Sequence, residues 1–214
     1  MRVVRLPESS PQAIRRQKKL RGQHEKTLLE NALTAARGAY DASPTLQHFA
    51  RWPDDLRYQE KEAQIIPAVR QIKRWSNPHP LHTATQDIST YGNWKRTYTE
   101  EEVGFGFLQD YGYIELYGPD GHYHSLQGRA YIAYWGRGLY YPWHHHEAEE
   151  IYLVISGSGY FESEGQDPAL LTSGQTRRHY SNQLHSLTLR QEPILALVLW
   201  RGDGMDGLPL MGAN

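Results

Sequence analysis

The chain has 214 residues, enough for one large domain or a core with a sizeable extension, and its 15 Tyr and 6 Trp give it the means to bury a core. No run reaches the roughly 18 apolar residues of a membrane span, and the opening MRVVRLPESS lacks the apolar stretch of a secretory signal, so a soluble, cytoplasmic protein without a membrane partner is expected. The chain contains no cysteine, which excludes disulfides, thiolate metal sites and cysteine nucleophiles; any metal must be held by His and carboxylates.

The net charge of -1 conceals an asymmetry: residues 1–74 carry 15 Lys or Arg against 8 Asp or Glu, and the remainder carries 8 against 16. The positive charges are spread along helical faces and mixed with acids, which predicts a solvated surface or docking on the acidic remainder rather than a nucleic-acid partner. Leu29, Ala32, Leu33 and Ala36 follow the i, i+3, i+4, i+7 rule and Gly38 supplies a stop signal, so one amphipathic helix is expected there. Ser43 and Pro44 read as the cap and first-turn proline of a short second helix through Leu46 and Phe49. Ile65, Val69 and Ile72 suggest a third, which Pro67 must kink or start. Residues 76–100, rich in Pro, Asn, Thr and Gly without a sustained period, read as a connector.

From Val103 onward, short runs rich in Val, Ile, Tyr, Phe and Leu are punctuated by Gly: 103–108, 112–117, 129–135, 150–156, 159–163, 169–172, 184–190 and 194–201. Many short strands at close spacing mean a sandwich or barrel, and no crossover helix appears among them to build a parallel α/β sheet. The division expected is a helical extension and connector over residues 1–100, followed by a mainly β barrel over 101–214.

The informative segment is GLYYPWHHHEAEEIYLVISG, Gly138 to Gly157. Side chains alternate faces along a strand, so His144 and His146 can share one face, and Glu150 and Tyr152 on the next strand can share another. Pro142 is expected to interrupt its strand, which leaves Tyr141 without an orientation from alternation. The spacing of Gly138, His144, His146, Glu150 and Gly157 matches the first motif of the cupin superfamily at every specified position, so the resemblance implies a double-stranded β-helix (jelly-roll) barrel with a metal site. The second cupin motif is degenerate after Gly174, where His179 and His185 compete for the fourth ligand. His185 is chosen because it begins an alternation with Leu187 and Leu189, whereas His179 lies in a polar run and reads as a loop residue. His122 and His124 imitate a ligand pair, but no carboxylate follows at the right offset.

The strings YGYIELYGPDGHYHS and YYPWHHHEAEEIYLVISG, a late HSLT and LVLW resemble the cupin dimethylsulfoniopropionate (DMSP) lyases over most of residues 100–202. The family signature Y-x-x-H-x-H-x3-E-x-Y is met by Tyr141, His144, His146, Glu150 and Tyr152, with His185 as the later histidine. The resemblance implies one divalent ion (Zn or Fe(II), with Mn and Ni as other choices) on His146, Glu150 and His185, with His144 as a ligand or beside it. It makes Tyr141 and Tyr152 the tyrosines that act on a small sulfonium carboxylate. Tyr152 is the preferred base and Tyr141 the alternative base or substrate positioner. An aromatic receptor for the sulfonium is expected among Tyr141, Trp143, Trp135 and Trp200. The competing readings are another metal-dependent cupin enzyme, a sugar isomerase or an Fe(II) dioxygenase, and a non-enzymatic small-molecule-binding cupin. An isomerase needs Lys or extra acids near the ion, and the barrel segment offers only Lys95 at its margin. A homodimer is compatible with all of these.

Overall fold

A computed structural model describes residues 11–212. The chain begins with α1 (Pro11–Asp41) and α2 (Pro44–Phe49), a short β1 (Arg57–Tyr58), then α3 (Val69–Arg74) and α4 (Pro80–Ile88). A short β2 (Trp94–Lys95) and two small helices, α5 (Glu100–Val103) and α6 (Phe105–Gln109), lead into the β region. That region comprises β3 (Tyr111–Gly118), β4 (Tyr123–His124), β5 (Arg129–Trp135), β6 (Tyr140–His145), β7 (Glu149–Ser163), β8 (Gln166–Thr172), β9 (Thr176–His179), β10 (His185–Thr188), β11 (Ile194–Arg201) and β12 (Leu210–Met211). Among the described residues no helix is long and apolar enough to cross a membrane.

Helix α1 does not stop at Gly38. Its buried stripe of Leu29, Ala32 and Ala36 continues through Ala39 and Tyr40, and this packing outweighs the roughly 1 kcal/mol that an interior glycine costs. Its charges form i, i+4 pairs, Arg21–Glu25, Lys26–Glu30 and Arg37–Asp41, which makes the basic region a solvated face. The Ser43 side chain accepts from the Leu46 amide ahead of α2, as its position before Pro44 predicts, and α3 begins just past Pro67. Residues 76–100 are not a bare connector: α4 packs on α1 through Leu81, Ala84 and Ile88. Its stripe is masked in the sequence by two buried polar residues that are satisfied internally. Thr85 bonds back to the Leu81 carbonyl, and His82 sits between the Trp75 carbonyl and the Ser156 hydroxyl. The expected strand at 103–108 is replaced by the end of α5, which Thr99 and Glu102 cap, and by α6 beyond Gly104.

The strands form a barrel whose neighbours are antiparallel apart from β3 with β4. Strand β7 carries the architecture. Its first half pairs with β11 and β9, and its second half pairs with β8 and β10, so one strand belongs to both walls. The two expected runs at 150–156 and 159–163 are therefore one strand with a corner at Gly157, where φ is +81°.

Continuous apolar runs such as ILALVLW arise because both sheet faces are covered. On β11, Ile194, Ala196, Val198 and Trp200 point into the barrel, while Leu195, Leu197 and Leu199 join α1, α2, α3 and α4 in a second core outside it. The same alternation sends Glu150, Tyr152 and Val154 of β7 inward and Ile151, Leu153 and Ile155 toward the helices.

A Cβ at Gly157 would lie 1.7 Å from the Pro193 carbonyl oxygen, whereas Gly138, with φ +78°, has nothing within 4 Å. Gly157→Ala is therefore expected to lose at least about 3 kcal/mol, and Gly138→Ala only about 1–2 kcal/mol from its backbone conformation, as measured by urea unfolding. Equal losses would show that the corner at Gly157 tolerates a side chain.

Candidate metal centre

Three side chains converge inside the barrel: His146 just past β6, Glu150 at the start of β7, and His185 at the start of β10. One ligand atom from each lies within 4.8 Å of the others, and all three residues are buried. Among the described residues this is the one group of its kind. Each imidazole is oriented from behind, since His146 Nδ1 bonds the Ala148 carbonyl at 2.8 Å and His185 Nδ1 bonds the Gln183 carbonyl at 2.8 Å. A carbonyl can only accept, so Nδ1 carries the hydrogen and Nε2 presents a lone pair to the cavity.

Those Nε2 atoms stand 3.3 Å (His146) and 3.4 Å (His185) from Glu150 Oε2, yet neither has a hydrogen-bond partner of acceptable geometry. With both imidazoles neutral, two lone pairs and a carboxylate oxygen face one another, an arrangement that could hold a cation. A divalent ion with His and carboxylate ligands fits this donor set. His144 lies beside the trio. Its Nδ1 bonds the Pro142 carbonyl at 2.7 Å, its ring meets His185 edge-on at 4.1 Å, and it stacks on Tyr141 at 3.8 Å.

Burial favours the neutral form of Glu150, but the charge of His146 and the hydrogen bond from His179 outweigh it and hold the carboxyl well below its ordinary range. Burial lowers His146 as well, and the Glu150 charge reverses the sign, leaving it above 6.5. His144 is pushed well below 6.5 by burial and by His185 and stays neutral. Tyr152 and Tyr141 are raised well above 10, both chiefly by burial, with Glu150 next for Tyr152 and the Tyr98 phenol next for Tyr141.

Several sequence expectations are corrected. His179 is not a loop residue: it lies on β9, is fully buried, and its Nδ1 is 2.9 Å from Glu150 Oε2. Its polar neighbours concealed this, because Arg177 and Arg178 are themselves bonded, to Ser163 and Glu149. Pro142 does not interrupt its strand. Leu187 faces Tyr141 and His185 faces His144, so Pro142 and Trp143 stand opposite the single Ser186 in a β-bulge. The extra residue turns both Tyr141 and His144 inward although they are three apart. The same bulge leaves Trp143 37% exposed and off the pocket wall, so it is not brought to the site. His122 and His124 lie elsewhere and serve local structure: His122 accepts from the Asn93 amide and His124 contacts the Pro119 carbonyl. Sequence reasoning missed Tyr98, whose hydroxyl is 2.6 Å from that of Tyr141; its position ahead of the barrel gave no sign of it.

The pocket above the trio has a volume of about 240 Å3, small beside the roughly 300–1,000 Å3 of sites for drug-sized ligands. Tyr111, Tyr113, Tyr131, Trp135, Tyr141, Tyr152 and Trp200 line it, together with Lys95, Glu115, Asp120 and Arg129. Lys95 is paired there with Asp120 and lies 3.6 Å from Glu115.

The family model for dimethylsulfoniopropionate lyase matches residues 76–196. The chain is 33% identical over 181 residues to dimethylsulfoniopropionate lyase DddQ of Ruegeria pomeroyi, covering 81% of this chain and 89% of that protein. Among solved structures, a crystal structure of DMSP lyase DddQ from Ruegeria pomeroyi superposes with a TM-score of 0.81 at 30% identity, covering 86% of this chain and 96% of the other. A chain from the crystal structures of the DMSP lyases RdDddP and RnDddQII gives 0.85 at 38% identity, covering 88% and 100%.

Because an ion must displace the proton that Glu150 stabilises on His146, Zn2+ affinity should fall about tenfold per pH unit below the raised His146 pKa. Chelator competition across that pH range measures it. His146→Ala and His185→Ala should each bind more than about 100-fold more weakly; affinity that ignores both substitutions and pH would place the ion elsewhere.

Proposed function

Because the chain belongs to the dimethylsulfoniopropionate lyase family, we propose that it cleaves dimethylsulfoniopropionate to dimethyl sulfide and acrylate by β-elimination in the tyrosine-walled pocket above His146, Glu150 and His185. The observation that carries this reading is the union, in one small cavity, of a buried His and carboxylate donor set with two inward phenols, Tyr141 and Tyr152. Lys95, the lysine that a sugar isomerase would use, is engaged with Asp120 and Glu115, which favours the lyase over that alternative.

His146, Glu150 and His185 would hold the divalent ion, with His144 a fourth ligand or a neighbour. Such an ion, when bound, supplies a Lewis acid for the substrate carboxylate and positive charge that favours a nearby phenolate. Tyr152 is assigned as the base. It lies two residues beyond Glu150 on the same face of β7, and its ring is fixed between Trp135 and Phe161 at 5.6 and 5.4 Å. Its phenolate oxygen takes the proton α to the carboxylate, the carbon–carbon double bond forms, and the β-carbon–sulfur bond breaks with its electron pair leaving on the neutral sulfide. Tyr141, held by Tyr98 and stacked on His144, orients the substrate beside that base. The sulfonium has no hydrogen to donate, so an aromatic surface receives it, and the edge-to-face pair Tyr131–Trp200 at 5.4 Å replaces the outward Trp143 in that role.

Headspace detection of dimethyl sulfide from the metal-loaded protein tests the activity directly. Production is expected without oxygen or reductant; dependence on oxygen would indicate a dioxygenase, and interconversion of aldose and ketose without dimethyl sulfide an isomerase. Tyr152→Phe should keep the fold and the metal and lower kcat by about 10²–10⁴-fold. The wild-type rate should rise toward alkaline pH, since burial raises the phenol and only the deprotonated form accepts a proton. An undiminished kcat in Tyr152→Phe with a collapse in Tyr141→Phe would move the base to Tyr141.

A further inference from the structure

Glu150 occupies the middle of a row of three cross-strand neighbours: it faces Trp200 of β11 on one side and His179 of β9 on the other. All three side chains point into the barrel and are buried. Each carboxylate oxygen takes one hydrogen bond from this row. Trp200 Nε1 donates to Oε1 at 2.8 Å, and His179 Nδ1 donates to Oε2 at 2.9 Å. A carboxylate oxygen has no hydrogen to offer, so the His179 proton lies on Nδ1.

The two donors are themselves fixed against the other ligands. The Trp200 ring stacks on His146 at 4.3 Å, and the His179 ring stacks on His185 at 3.8 Å. Each donor thus braces one carboxylate oxygen and one imidazole of the trio. A carboxylate held at both oxygens cannot rotate about its own axis, and Oε2 is the oxygen kept toward His146 and His185. We propose that Trp200 and His179 are positioning residues for the metal centre, which fix the orientation of Glu150 by one hydrogen bond each and thereby set the affinity for a divalent ion. This rests on the reading of His146, Glu150 and His185 as metal ligands.

The test is the Zn2+ dissociation constant of the purified protein, measured by chelator competition and independent of turnover. Trp200→Phe keeps an aromatic ring beside His146 and removes the N–H together with part of the indole, so its affinity should fall about 10–100-fold, whereas Trp200→His, which can restore a ring N–H, should recover part of the loss. At position 179 an asparagine amide nitrogen falls where Nδ1 lies, whereas a glutamine amide reaches the place of Nε2. His179→Asn should stay within about threefold of the wild type, and His179→Gln and His179→Leu should each lose about 10–100-fold. Unchanged affinity in His179→Leu and Trp200→Phe overturns the proposal, and so does an asparagine variant as weak as the glutamine variant, which would mark the loss as one of packing. Circular dichroism of the metal-free variants checks the fold; should the His179 variants not fold, Trp200→Phe decides. Failure of the wild type to bind Zn2+ would instead overturn the metal-ligand reading itself.

Discussion

Glu150 is a carboxylate withdrawn from water and kept ionised by its neighbours, and the rest of the structure is arranged around that demand. Moving such a charge into a protein interior costs on the order of several kcal/mol even after relaxation. Here Trp200 and His179 satisfy the oxygens directly, and positive charge beside Oε2, whether a proton on His146 or an ion shared with His185, offsets the negative charge. The carbonyls of Ala148 and Gln183 hold the two rings so that each Nε2 faces Oε2. The hydrogen-bond pattern thus leaves His146, Glu150 and His185 arranged so that they could hold a positive ion.

The helical region has no residue in that centre, yet the barrel depends on it. Strands β5, β7 and β11 are apolar on both faces, and without α1 to α4 the outward rows of Ile132, Ile151, Leu153, Leu197 and Leu199 would meet water. Burying them keeps the strands in register, and register is what places Trp200, Glu150 and His179 side by side. The acid and its two donors come from three strands, brought side by side by their pairing.

What the sequence revealed and concealed follows from how far apart the interacting residues lie. His144, His146, Glu150 and Tyr152 fall within a short stretch joining two strands, so spacing and alternation were sufficient to bring them together. His185 was recognisable from its alternation with Leu187 and Leu189, which the structure places in the inner core. The clamp on Glu150 was not legible, because Trp200 and His179 approach it from 50 and 29 residues away and meet it only through strand pairing. Trp143 was misplaced by a bulge that no period reveals, and α4 was hidden because its buried face includes a histidine and a threonine satisfied by tertiary or backbone partners. Local pattern thus located the chemistry, while packing decided which residues support it.

The central claim is that an ion sits among imidazole nitrogens and the Glu150 carboxylate. X-ray absorption at the metal edge of the loaded protein tests it most directly. The account predicts a shell of nitrogen and oxygen atoms at about 2.0–2.2 Å, with multiple scattering from at least two imidazoles and no sulfur. A shell of oxygen atoms alone, without the imidazole signature, would contradict it.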